Sequence, residues 1–313
     1  MTNEPGLNES SSPATNTETD PTRVSGAVAR MLEPERYEQL PNYEEFHFDH
    51  NGQSMVGAIL HGETIDGRQP DTTVLMVRGI SRDTENTDIT PFNAWTGGFA
   101  EQLTKLGLNV LAINPPGMGG SEGDTFESSL NDRIAEHVDG IRALRDRDPD
   151  MKQLYIVGNS MGAAIAPGTA ERLHEAMPDL AVPKIVLLSP STFRDGAWDA
   201  HFGEPFRQAI TGTTPEQMAT SPGLADLRQY ADRPDSHVLL MYVQEDNPPI
   251  PPVVRDTYSE IIESRLDSRR MAAFDRRELA HAFRKIGTKQ IDNIPDTEAI
   301  EKVGTEVAEW LAK

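Results

Sequence analysis

The chain has 313 residues, of which 37% are hydrophobic and 25% charged, enough apolar material for one large core or two modest ones. Its 50 acidic against 29 basic residues give a formal charge of −21, which repels phosphate backbones and anionic membrane surfaces and argues against nucleic acid as a partner. The absence of cysteine rules out a disulfide framework, a thiolate metal site, a cysteine nucleophile and a cysteine-borne lipid.

Residues 1–22, "MTNEPGLNESSSPATNTETDPT", lack the basic start and apolar stretch of a secretory signal and are too polar to bury anything. The expectation is a disordered tail over 1–26 and a single domain over 27–313. "EEFHFDHNGQSMVGAILHGE" (44–63) then reads as two extended segments around Asn51-Gly52, a dipeptide that favours a tight hairpin turn. From residue 72 onward, short apolar runs alternate with helical periods: "TTVLMVRG", "NAWTGGFAEQLTKLG", "NVLAINPPG", "SSLNDRIAEHVDGIRALRDRD", "KQLYIVGNS" and a helix of small residues. After "VPKIVLLSP" comes a polar stretch, then "SHVLLMYVQED", "RDTYSEIIESRL", "RRMAAF" and the closing "TEAIEKVGTEVAEWLAK". Continuous apolar runs of this length suit strands covered on both faces, so the fold class is α/β with a mainly parallel sheet, helices on both faces and an antiparallel N-terminal hairpin. In the last helix Ile300, Val303, Val307, Trp310 and Leu311 fall at helical spacing and face the sheet. Residues 194–235 carry aromatics but no strong period, which fits either a small lid insertion or one crossover helix with ragged ends.

No run approaches the ~20 apolar residues that span a bilayer, so no membrane span is expected and the cytoplasm is the expected compartment. Arginines outnumber lysines 22 to 7. A carboxylate-rich, lysine-poor surface suits concentrated salt and an ordinary acidic protein alike.

Two Gly-x-Ser-x-Gly patterns occur, Gly158-Asn159-Ser160-Met161-Gly162 and Gly119-Gly120-Ser121-Glu122-Gly123. A serine hydroxyl is a poor nucleophile near neutrality and needs a neighbouring base and an exposed position. A strand that turns straight into a helix supplies that position, with small residues on both sides of the serine to avoid collision. Ser160 follows "LYIV" directly and precedes "MGAAIA". Ser121 follows Pro115-Pro116 and a glycine cluster and precedes polar "EGDTFESS", so it reads as a loop residue. Pro167, beyond the first turn of the helix after Ser160, should make that helix kink or restart.

From about residue 44 to 313 the chain resembles the α/β-hydrolase superfamily. The resemblance rests on "GNSMG" at 158–162, the "INPPGMGGSEG" loop, Arg78-Gly79 after a strand, Asp246 after "VLLMYVQE" and His281 in "LAHAF". "GNSMG" is also similar to the wording of meta-cleavage product hydrolases and related esterases. The superfamily's triad runs Ser, acid, His along the chain. His47, His50, His61 and His137 precede Ser160, His174 lies in the helix after it, and His201 and His237 precede the best acid, which leaves His281. The resemblance puts the acid at Asp246; Glu245 is the adjacent competitor, and in an extended strand only one of the two faces His281. It also implies an oxyanion hole from the backbone N–H groups of Met161 and Ile80. Most relatives have His-Gly where this chain has Arg78-Gly79, and Arg78 is left either to bind a substrate carboxylate or to pair with a nearby acid.

The implied activity is hydrolysis of a small-molecule carboxylic ester, with thioester and amide behind it, through an acyl-enzyme on Ser160. The same triad could instead break a C–C bond, or the scaffold could be a non-catalytic binding module. No cofactor is expected. "PPGMGGSEG" lacks both the dinucleotide and the Walker pattern, and the histidines show no zinc spacing.

Overall fold

The structure, a computed structural model, describes residues 42–65, 67, 70–79, 94–210, 214–245, 252–280, 284–285 and 297–313. Strands β1 (Tyr43–His50) and β2 (Gln53–Leu60) pair antiparallel with His50 opposite Gln53. The turn between them is Asn51-Gly52 at φ 54° and 80°, the pair of left-handed residues that matches the strands' own twist. β1 alternates, burying Phe46, Phe48 and His50, because only one of its faces meets the core.

β3 (Thr72–Val77), β4 (Asn109–Ile113), β5 (Gln153–Asn159), β6 (Ala181–Leu188), β7 (His237–Glu245) and β8 (Met271–Ala280) follow as parallel neighbours. The two-residue β9 (Arg284–Lys285) turns back on β8. The sheet order is β1-β2-β4-β3-β5-β6-β7-β8-β9, mostly parallel with the antiparallel hairpin at one edge. The continuous apolar runs are strands buried on both faces, and successive residues divide between two cores. Leu75, Val77, Ile156, Ile185, Leu187, Val238 and Leu240 face one core; Val74, Met76, Val157, Val186, Leu188, Leu239 and Met241 face the other.

The second core is closed by α1 (Ala94–Lys105) packing on α8 (Thr297–Leu311), through Phe99 and Leu103 on one helix and Val303, Val307 and Leu311 on the other. The first core is closed by α2 (Leu130–Arg147), α3 (Met161–Ala176) and α7 (Pro252–Arg265). α2 starts at a reciprocal cap, in which the Ser129 hydroxyl accepts from the Asp132 N–H and the Asp132 carboxylate accepts from the Ser129 N–H. α3 runs through Pro167 as a single 16-residue helix, so of the expected kink or restart the restart does not occur. The proline removes one intrahelical donor, and the surrounding core, in which α3 is buried along most of its length, holds the helix together.

Residues 194–235 form more than one crossover helix. A 3-10 turn at Asp195–Ala197 precedes α4 (Glu204–Ile210), α5 (Pro215–Ala219) and α6 (Pro222–Ala231). Trp198, Phe202, Phe206, Met218 and Leu224 of this segment join the first core, and α6 packs against α3. Among the described residues no helix is long and apolar enough to cross a membrane.

Candidate active site

β5 ends at Asn159 and α3 begins at Met161, so Ser160 is the whole connection. Its backbone stands at φ 55°, ψ −116°, a conformation that costs a non-glycine residue about 1–3 kcal/mol. The flanking glycines are required by contact. A Cβ on Gly158 would lie 2.4 Å from the Gly162 carbonyl oxygen, and one on Gly162 would lie 2.0 Å from the Val77 carbonyl oxygen. α3 therefore meets the ends of β3 and β5 backbone to backbone, and the strained serine is held by that packing.

Ser160 occupies the N-cap position of α3, where a serine hydroxyl ordinarily accepts a bond from the first turn. Here it makes no capping hydrogen bond. The Ser160 N–H donates to the Leu188 carbonyl at 2.9 Å, its carbonyl accepts from the Ser191 N–H at 3.3 Å, and the Ser191 carbonyl accepts from the Tyr258 hydroxyl at 3.0 Å. The main chain is anchored on several sides, while among the described residues the hydroxyl has no hydrogen-bond partner. The Met161 N–H opens α3, where first-turn amides have no acceptor within the helix and the helix dipole favours negative charge.

The end of β3 comes against this turn. A Cβ on Gly79 would lie 3.1 Å from Ser160 Cβ and 3.5 Å from Ser160 Oγ, so the Arg78-Gly79 main chain passes directly beside the nucleophile candidate. Ile80, the expected second oxyanion donor, is the next residue and lies outside the described residues.

Ser121 has a different role. Its buried hydroxyl accepts from the Val56 N–H at 2.9 Å and donates to the Asn114 carbonyl at 3.2 Å, which ties the loop after β4 to β2. The glycines around it serve the loop: Gly119, Gly120 and Gly123 stand at φ 51°, 83° and 93°. The second Gly-x-Ser-x-Gly is thus a structural turn, with its serine spent on two backbone partners.

The guanidinium of Arg78 extends toward that loop, with Nη2 3.4 Å from Met118 Sδ. No described carboxylate forms an ion pair with it. Glu136, the acid whose field it feels, is instead held by Arg133 at 2.7 Å, and both of those side chains are buried. Loss of water brings the Arg78 pKa down to about 10; the Arg133 cation adds to the shift and Glu136 opposes it. Burial pushes the Glu136 carboxyl up to about 7 against the pull of Arg133, and it holds His137 well below the ordinary histidine range, so His137 is neutral. His50 joins the edge of this group through Asp139, at 2.8 Å.

Asp246 and His281 lie outside the described residues. Their neighbours in the chain, Glu245 and Ala280, end β7 and β8 and pair with each other beyond a register shift after Val243. Asn159 is level with Leu188, Met241 and Phe274 across β5 to β8, and β7 and β8 both run on beyond that level. β8 is longer than the "RRMAAF" run suggests, and it turns back as a hairpin in which Ala280 pairs with Arg284. A shallow cavity of about 240 Å³ between Gly117-Met118 and Gly123–Phe126 borders the loop after β4, and Ser160 does not line it.

Two features beside the turn carry no sequence signal. Ser189, at the end of β6, also stands at positive φ, 45°, next to Ser160 along the sheet edge. The Arg133–Glu136 pair has the i,i+3 spacing of a surface ion pair, yet it is buried. Among the described residues no group of side chains could hold a metal ion.

A comparison with curated proteins gives no match. Solved structures with the same fold include an esterase from Pyrococcus furiosus, Pf2001, at 18% identity and a TM-score of 0.59, covering 89% of this chain and 92% of that one. Est1E from Butyrivibrio proteoclasticus aligns at 12% identity and a TM-score of 0.54, over 86% of this chain and 99% of its own. A serine hydrolase without a lid from Xanthomonas campestris aligns at 16% identity and a TM-score of 0.51, over 78% and 88%. The family model for the alpha/beta hydrolase family matches residues 91–284, more than half of the sequence. With the strand order and the tight strand–serine–helix turn, this match establishes that the chain belongs to the alpha/beta hydrolase family.

Proposed function

We propose that the protein is a serine esterase that cleaves a small-molecule carboxylic ester through an acyl-enzyme on Ser160. The observation that carries this reading is the strained, uncapped serine between β5 and α3, fixed by two glycine contacts with no slack. A non-catalytic scaffold gains nothing from such a conformation, whereas a nucleophile needs it to project from the sheet edge.

In this reading His281 takes the Ser160 proton as Oγ attacks the carbonyl carbon, and the resulting oxyanion is met by the N–H groups of Met161 and Ile80. Asp246 holds the imidazole in the tautomer that accepts at the nitrogen facing Ser160. The protonated His281 then gives its proton to the leaving alkoxide, and water repeats the sequence on the acyl-enzyme to release the acid. The contact of Gly79 with Ser160 supports the Ile80 assignment, because it brings the chain to the serine one residue earlier. The pairing of Glu245 with Ala280 at the ends of β7 and β8 supports the pairing of Asp246 with His281. The reading also places a demand on the chain: the loop after Ala280 has to return along the sheet edge to reach Ser160.

The test is kcat/KM on short-chain 4-nitrophenyl esters. Ser160→Ala and His281→Gln should each lose about 10³-fold or more, and Asp246→Asn a comparable amount. Activity in His281→Gln within threefold of wild type would remove the triad.

A further inference from the structure

We infer that Arg78 selects esters that carry a free carboxylate close to the scissile carbonyl. The inference rests on the esterase reading for its chemistry and on an independent observation for its ligand. Arg78 precedes the glycine that touches Ser160, so its side chain springs from within one residue of the nucleophile candidate. A guanidinium offers five donors in a fixed fork that suits a carboxylate. The described acceptor for this one is a thioether sulfur, Met118 Sδ at 3.4 Å, which is a weak partner for a cation.

The chain has 50 acidic residues, and no described one is paired with Arg78. The acid within its field, Glu136, is occupied by Arg133, and Arg133 itself repels Arg78. Among Arg78, Arg133 and Glu136, with His137 neutral, positive charge exceeds negative whether or not Glu136 holds its proton. A half-buried cation with no described counter-ion is costly, and a bound carboxylate offsets that cost while forming a two-pronged charge-assisted bond. The substrate is then either a half-ester of a dicarboxylic acid, with the carboxylate on the acyl side, or an ester whose alcohol carries the carboxylate. Hydrolysis of the first releases the dicarboxylate and the alcohol.

The test compares matched pairs of substrates: mono-4-nitrophenyl glutarate with 4-nitrophenyl valerate for the acyl side, and 4-carboxyphenyl butyrate with phenyl butyrate for the alcohol side. In one of the two pairs, wild type should favour the acid-bearing ester, and Arg78→Met should reduce that preference about tenfold or more, with the loss mainly in KM. If Arg78→Met does not fold, Arg78→Lys decides: it keeps the charge and loses the fork, and the preference should still fall severalfold. Titration calorimetry with glutarate on Ser160→Ala gives a readout free of catalysis, with binding expected and lost on adding Arg78→Met. A preference unchanged by either Arg78 substitution, together with equal glutarate binding, would overturn the inference. Glutarate binding that depends on Arg78 in a protein that hydrolyses no ester would sink the esterase reading and leave the anion site standing.

Discussion

Gly162 gives the most exacting test of the turn that presents Ser160. A methyl group at this position would stand 2.0 Å from the Val77 carbonyl oxygen, 2.6 Å from its carbon and 2.8 Å from the Arg78 carbonyl oxygen. All three obstacles are main chain, so no side chain can swing aside. Bringing the closest contact from 2.0 Å to the ordinary 3.4 Å requires α3 and β3 to separate by about 1.4 Å. Overpacking of this kind costs about 1–3 kcal/mol. The same displacement moves Ser160 and Met161 relative to Gly79, and a misplacement near 1 Å typically costs about 10²-fold in rate. Gly162→Ala should therefore unfold at lower urea and lose about 10²-fold in the rate of reaction with a fluorophosphonate. Gly196→Ala is the control, because nothing lies within 4 Å of its added Cβ, and it should be neutral within about 0.5 kcal/mol. A Gly162→Ala protein as stable and as reactive as wild type would refute the backbone contact and the argument built on it.

Other consequences concern single groups. Ser160→Gly should abolish reactivity and stabilise the fold by about 1 kcal/mol or more in urea denaturation, because glycine accepts φ 55° without strain. Ser121→Ala should do the reverse, keeping ester hydrolysis while losing about 1–3 kcal/mol, since it leaves the buried Val56 N–H unpaired. Glu136 has its folded pKa raised from 4.5 to about 7, so the folded state holds the extra proton between those values. Stability from this group is present below pH 4.5 and lost as pH rises through 7. The unfolding free energy of Glu136→Gln relative to wild type should therefore climb across that window, and a flat difference would count against the burial of the carboxylate.

The layered fold was legible because each strand is a short apolar run and the sheet is covered on both faces, which gives continuous rather than alternating burial. Asn51-Gly52 announced the hairpin because few other dipeptides accept two left-handed conformations. The difference between the two Gly-x-Ser-x-Gly turns was also legible. Gly158 and Gly162 answer to backbone contact at a strand-to-helix turn, whereas the glycines around Ser121 answer to positive φ in a loop.

Elsewhere the sequence misleads for physical reasons. Pro167 signals a kink or a restart by local rules; the restart does not occur, because burial of α3 outweighs one missing hydrogen bond. The charged run Asp275–Glu278 reads as the end of a strand, although main-chain pairing to β7 carries β8 through it. Residues 194–235 hid their helices because segments of seven, five and ten residues are too short to display a helical period. Thr214-Pro215-Glu216-Gln217 did hold a readable signal, a capping box with proline at the first turn. That no described carboxylate pairs with Arg78 could not be read, because it depends on Arg133 having taken Glu136, a pairing made inside the core.

The central claim is that Ser160 is the nucleophile, and the most direct measurement is mass-spectrometric mapping of the covalent adduct formed with a fluorophosphonate. The account predicts one adduct, on the peptide containing Ser160, present in Ser121→Ala and absent from Ser160→Ala. An adduct that survives in Ser160→Ala, or a wild-type protein that forms none, would contradict it.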